Sequence, residues 1–409
     1  MVKAQRLVWA MLAILSGWGG AVTAKSLRAP LIVISLDGFR ADYFDRGLTP
    51  TLADLAATGV RAKAMRPAFP SVTEPNHYTL MTGLYPDHHG VIDNTMVDPR
   101  MPGMAFGGPH TKGQDSDPRW WDGATPLWVT AARAGLKTAS SRWPGDEAIV
   151  HGVTPTYLAQ HSAPLTIAAQ VEGVLAWLDL PRAKRPVLIR LHLDDVDGYG
   201  HIFGPDSSRT NIAISSIDAV LGQLAQGLKT RKLYDRVNIV VVSDHGMTGV
   251  SPKRNIYLDD LVDPAFFTVP AYWAAAGVNP IAGHEAEVEK ALLQFHDHMR
   301  CWRRQEIPAR LHYGTNPRSP AIVCLADLGW SVVTHAIVKS FPPLYGNHGY
   351  DPAEPDMAAL FIAHGPAFKS GVTLPNFDNV DIYQLLTTVM GLRPEPNDGR
   401  FEDVQGALK

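Results

Sequence analysis

Cysteine is scarce in this sequence. Two thiols, Cys301 and Cys324, occur in 409 residues, and no CxxC pair is present. Two thiols this far apart make a poor metal site. In an oxidising compartment the two thiols suit one disulfide, with two unrelated thiols as the alternative. A long apolar run is also missing. The N-terminal run LVWAMLAIL (7–15) falls short of the roughly 20 residues that span a bilayer. Basic MVKAQR precedes it and AVTA closes it at Ala24. This pattern predicts a secretory signal peptide over 1–24, export to the periplasm or medium, and no stable membrane anchor after cleavage. Basic clusters are absent too: 37 Lys and Arg stand against 40 Asp and Glu, a net charge of -3. Duplex nucleic-acid binding is thereby disfavoured. There is no internal repeat and no low-complexity tract.

What is present is a rhythm of strands and helices. Four β-branched apolar runs stand out: LIVISL (31–36), VLIRLHL (187–193), VNIVVVS (237–243) and AALFIA (358–363). Such continuous runs suit strands buried on both faces of a parallel sheet. Helical patterns lie between them, at 49–59 with a Thr cap, 125–135, 164–180 and 207–229. The alternation predicts a doubly wound α/β fold for the mature chain, residues 25–409. Residues 251–345 break the rhythm and hold both cysteines, so an accessory subdomain is expected there.

Open parallel sheets bind ligands beyond the carboxyl ends of their strands. Asp37 follows the first run. Asp244 and His245 follow the third. Asp197 and His201 follow the second, four residues apart, and His348 precedes the fourth. Each alone reads as a cap or turn residue. Together, three Asp and three His at matching strand ends suit Zn²⁺. Six are too many for one tetrahedral ion. With the hydroxyl of Thr73 they would serve two, a pairing suited to phosphoryl transfer. Thr73 lies in PSVTEPNHYTLMTG, just before a helical pattern starting near Asn76. It is a candidate helix cap and a candidate nucleophile, roles that are compatible.

The motifs LDGFRADYF, FPSVTEPNHYTLMTGLYPDHHGVIDN, RWPGDE, DVDGYGHIFGP, VVSDHGM and GNHGYD, in this order, resemble the nucleotide pyrophosphatase/phosphodiesterase family of the alkaline phosphatase superfamily. The resemblance runs from about Leu31 to Leu386. It implies an alkaline-phosphatase-like, mostly parallel central sheet flanked by helices, and two Zn²⁺ ions. Asp37, Thr73, Asp244 and His245 would hold one ion. Asp197, His201 and His348 would hold the other. Thr73 would form a phosphothreonine intermediate, and Asn94 would hold a phosphoryl oxygen. Nucleoside 5′-monophosphates would be released from small nucleotides and from oligonucleotide ends. Tyr157 would stack on the base, with Trp143, Asp146 and Glu147 near the nucleoside. One position departs from the pattern: the residue after the nucleophile is usually Phe, and here it is Glu74, which leaves the second wall of the base slot open. Other readings of the same scaffold are a phosphomonoesterase, with Arg142 as the dianion's partner, and a choline-lipid phosphodiesterase, with Glu74 or Glu147 facing the cation. A non-catalytic zinc-binding protein is the most distant alternative.

Overall fold

The computed structural model describes residues 29–107, 114–159 and 166–409. The expected signal peptide lies outside the described residues. Strands β1 (Leu31–Leu36), β2 (Val60–Ala62), β3 (Thr138–Ser141), β4 (Tyr157–Leu158), β5 (Leu188–Leu193) and β6 (Asn238–Val242) come first in the chain. A separate antiparallel sheet follows, made of β7 (Phe267–Ala271), β8 (Ala275–Pro280), β9 (Met299–Arg303) and β10 (Ile322–Ala326). The chain then returns with β11 (Phe361–His364) and β12 (Val372–Leu374). The central eight-stranded sheet has the order β12-β2-β11-β6-β1-β5-β3-β4.

Every residue of β1 is buried. Alternate side chains leave a strand on opposite faces. Accordingly Leu31 and Val33 join one core, while Ile32, Ile34 and Leu36 join the other. Each fully buried Leu, Ile or Val stabilises the fold by roughly 2 kcal/mol. On the second face lies α1 (Pro50–Ala57). On the first face lie α2 (Thr73–Thr82) and α3 (Leu127–Arg133). The second face is completed by α4 (Ile167–Asp179), capped by Thr166. α5 (Asp195–Phe203) follows β5, and α6 (Ser208–Thr230), capped by Ser207, completes that face. The α1 cap differs from expectation. Thr49 makes no side-chain cap bond. Instead Asp218 of α6 accepts from the amides of Thr51 and Leu52, both at 2.9 Å, so a neighbouring helix satisfies these donors.

Strand register places the site. β1 pairs in parallel with β5 and β6, matching Leu36 to Leu193 and Ser35 to Val242. The residues following these strands therefore emerge at one edge. β11 corrects the expectation for 358–363: it begins at Phe361 and runs antiparallel to both β6 and β2. Its leading segment consequently arrives at that same edge, which is how a residue before a strand can join residues that follow strands.

The second sheet carries Cys301 directly opposite Cys324 on β9 and β10, and the two form a disulfide. The bridge closes a loop with a sequence separation of 23. Replacing both cysteines with serine is expected to lower unfolding free energy by about 3 kcal/mol, read by denaturant melts, with turnover unchanged.

Candidate active site

The ligand candidates converge. His245 Nε2 lies 3.4 Å from Asp37 Oδ1, 3.0 Å from Asp244 Oδ2 and 3.2 Å from Thr73 Oγ1. His201 Nε2 lies 3.3 Å from Asp197 Oδ2, as the i,i+4 spacing on α5 allows. His348 Nε2 lies 3.1 Å from His201 Nε2 and 3.6 Å from Asp197 Oδ1. Donor atoms of Asp197, His245 and His348 also cluster, so His245 borders both groups.

The hydrogen bonds fix which ring nitrogens face the centre. Nδ1 of His348, His201 and His245 lies 3.0, 2.9 and 2.9 Å from the carbonyl oxygens of Ser71, Gly346 and Gly246. A carbonyl only accepts, so each Nδ1 carries a proton, and in the neutral ring that leaves Nε2 with a lone pair. Metal-binding histidines are oriented by this kind of bond. The lone pairs of His201 and His348 then face each other at 3.1 Å. Asp37 Oδ1, Asp197 Oδ1 and Asp244 Oδ2 are buried without any hydrogen-bond partner. Opposed lone pairs and orphaned carboxylate oxygens need a cation. The residues present therefore fit a metal centre.

Electrostatics agree. Burial, then Asp244 and Asp197, pushes the Asp37 carboxyl well up from its usual range. Burial also acts to raise Asp244, but His245, His77 and His192 outweigh it and hold that group low. Burial, then His245 and His201, keeps His348 well below the usual imidazole range, hence neutral.

Two supporting residues escaped the sequence reading. His192 of β5 sets Nε2 2.8 Å from Asp37 Oδ2, and its Nδ1 donates to the Arg142 carbonyl. His77 of α2 donates from Nδ1 to the Thr73 carbonyl at 2.9 Å, and its Nε2 accepts from Ser35 Oγ at 2.9 Å. The available signals were a histidine inside a buried strand run and one four residues beyond Thr73.

Thr73 is not the helix cap. Val72 holds that position, and α2 starts at Thr73, three residues before the expected start. Its hydroxyl is directed to His245 rather than to a helix amide. Asn94 accepts from the Glu74 amide at 2.8 Å through Oδ1.

A cavity of about 280 Å³ opens beside Thr73, bordered by Glu74, Arg142, Trp143, Asp146 and Glu147. Asp146 is buried and uses Oδ2 to accept from Ser140 Oγ and the Trp143 amide, so it shapes the turn that forms the wall. Burial, then Asp115, Asp146 and Asp244, pushes Glu74 up to about 8. Tyr157 does not reach this cavity. It lies on edge strand β4, packs on the core of the opposite helical layer, and donates its hydroxyl to the Lys184 carbonyl ahead of β5. That is the far end of β5 from the ligands. Among the described residues, the aromatic walls of the cavity are Trp121 and Trp143. Trp121 lies against Gly145, where a Cβ would meet its ring at 2.7 Å, so WPG needs its glycine.

An α/β sheet that gathers buried carboxylates, imidazoles and a threonine at one edge defines the architecture of a metal-dependent hydrolase. Comparison with known proteins specifies it. The family model described as type I phosphodiesterase / nucleotide pyrophosphatase matches residues 31–351. An uncharacterized pyrophosphatase/phosphodiesterase of Schizosaccharomyces pombe is 39% identical, over 93% of this chain and 80% of that protein. Human ectonucleotide pyrophosphatase/phosphodiesterase family member 5 is 36% identical, over 92% of this chain and 78% of the relative. The Naja atra venom phosphodiesterase is 34% identical, over 93% of this chain and 46% of its own length. The solved structure of murine ectonucleotide pyrophosphatase / phosphodiesterase 5, an inactive form in complex with AMP, superposes with a TM-score of 0.88. Its identity is 36%, over 94% of this chain and 100% of that one. The chain belongs to the type I phosphodiesterase / nucleotide pyrophosphatase family and is an enzyme of that class.

Proposed function

We propose that this chain is an exported, zinc-dependent hydrolase that splits nucleotide phosphodiester and pyrophosphate bonds and releases nucleoside 5′-monophosphates. The supporting observation is the set of facing Nε2 lone pairs and orphaned carboxylate oxygens beside the Thr73 hydroxyl. Asp37, Thr73, Asp244 and His245 would hold one zinc ion, and Asp197, His201 and His348 the other. Bound zinc supplies charge neutralisation for the attacking and leaving oxygens. Thr73 Oγ1 attacks phosphorus, the bond to the leaving alcohol or phosphate breaks, and a phosphothreonine that still carries the nucleoside remains for water to hydrolyse. Asn94 is held by the Glu74 amide with its Nδ2 available to a phosphoryl oxygen. The amides that open α2 favour an anion beside Thr73.

A diester fits better than a monoester, because among the described residues Arg142 is the one arginine or lysine bordering the smaller cavity. A dianion calls for more positive charge. The same wall favours a second reading: its carboxylates would suit a retained cationic group such as choline. The test compares kcat/KM for p-nitrophenyl esters of thymidine 5′-monophosphate, of phosphate and of phosphocholine on zinc-loaded protein. Preference for the thymidine diester supports the proposal. Preference for phosphate or phosphocholine overturns it in favour of the corresponding alternative. Glu74→Phe is expected to raise kcat/KM for the thymidine ester by about tenfold, because stacking on a base contributes about 1–3 kcal/mol.

A further inference from the structure

A second cavity, of about 450 Å³, opens beside the ligand cluster. His201, His348 and Asn94 border it, whereas Thr73 borders the smaller one. Attack on phosphorus runs in line, so the leaving oxygen departs on the side away from Thr73. On the reading of Thr73 as nucleophile, the larger cavity therefore receives the leaving group.

Among the described residues its lining is mostly apolar and carries neither lysine nor arginine, and Asp93 adds a carboxyl group. Tyr272, Trp273 and Phe341 form a triangle of rings, with centroids 5.9, 5.9 and 5.7 Å apart. Ile202, 51% exposed, and Leu344 extend the apolar surface. Trp273 is held at φ 88°, a costly conformation for a residue with a side chain, by paired backbone bonds with Val332 at 3.1 and 2.8 Å. Asn347 is only 3% exposed and borders the cavity, and its Nδ2 has no hydrogen-bond partner. Such a group awaits an acceptor. Among the described residues, a pyrophosphate leaving group would find no lysine or arginine here. An uncharged ring would find aromatic surface and one amide donor.

We infer that the larger cavity is a leaving-group subsite that selects an uncharged, ring-bearing alcohol over pyrophosphate. The enzyme thereby favours esters of such alcohols over nucleoside triphosphates.

The experiment compares the benzyl and methyl esters of AMP, whose leaving alcohols have similar acidity. Wild type is expected to prefer the benzyl ester by at least about tenfold in kcat/KM, from burial of the ring. Trp273→Ala and the milder Phe341→Leu are each expected to shrink that ratio severalfold. Leu344→Lys is expected to raise kcat/KM for ATP relative to the benzyl ester. A wild-type ratio near one overturns the inference without any variant, and so does a ratio that both aromatic substitutions leave intact. If neither AMP ester turns over, the benzyl and methyl esters of phosphocholine are compared instead. Their turnover would end the nucleotide reading, and their ratio would still decide the pocket by the same criteria.

Discussion

Thr73→Ala is expected to lower kcat for a nucleotide diester by at least about 10⁴-fold, the scale on which removal of a catalytic nucleophile acts. The hydroxyl lies 3.2 Å from His245 Nε2, inside the cluster of ligand candidates. Alanine removes this oxygen and little else. The backbone role of the residue survives, because its carbonyl still accepts from His77 and Val72 remains the α2 cap. Folding and most of the metal content should therefore persist. Thermal melts and metal analysis on the same sample make the distinction. A variant that melts normally, holds metal and turns over at the wild-type rate would falsify the nucleophile assignment. Trapping of labelled phosphate on wild type after acid quench, and its absence from the variant, reads the covalent step directly.

Removal of metal is the second large effect. Chelation followed by dialysis is expected to abolish turnover, and about two equivalents of zinc to restore it. Stability should fall as well. The metal-free site brings three aspartates together with oxygen atoms that no donor satisfies. A ligand bound at 100 times its dissociation constant stabilises by about 2.7 kcal/mol. For a domain of this size that is a fall in Tm on the order of 5 °C. Full activity in chelated protein would reject the zinc proposal, as would binding of a single equivalent for the two-ion form.

Much of the fold was legible because burial on both faces of a sheet leaves a strong linear signature. LIVISL became a strand with the bounds read from the sequence, the second run lost its first residue, and the third lost one residue at each end. The direction of the fourth run was not legible, since an apolar strand reads alike in parallel and antiparallel pairing. The α1 cap failed for a related reason. Its acceptor, Asp218, lies more than 160 residues away in the chain, and local capping rules see only neighbours.

The site divides in the same way. Residue chemistry by itself marked Asp37, Asp197, Asp244, His201, His245, His348 and Thr73, because carboxylates and imidazoles at strand ends are costly to gather without a purpose. The aromatic partner could not be chosen from sequence. Tyr157 follows WPG closely, but its position on edge strand β4 directs its hydroxyl to Lys184. Trp121 comes to the cavity from an earlier loop, admitted by the missing side chain of Gly145. The roles of His77 and His192 are contacts across elements, and neither residue differs in type from an ordinary buried histidine. The sequence by itself determined the chemical groups, the strand runs and the scarcity of thiols, because these are properties of residues and their near neighbours. Only the tertiary structure decided which groups face one another, which rings line the two cavities, and that no lysine or arginine among the described residues borders the larger one. Those depend on register and on packing between segments far apart in the chain.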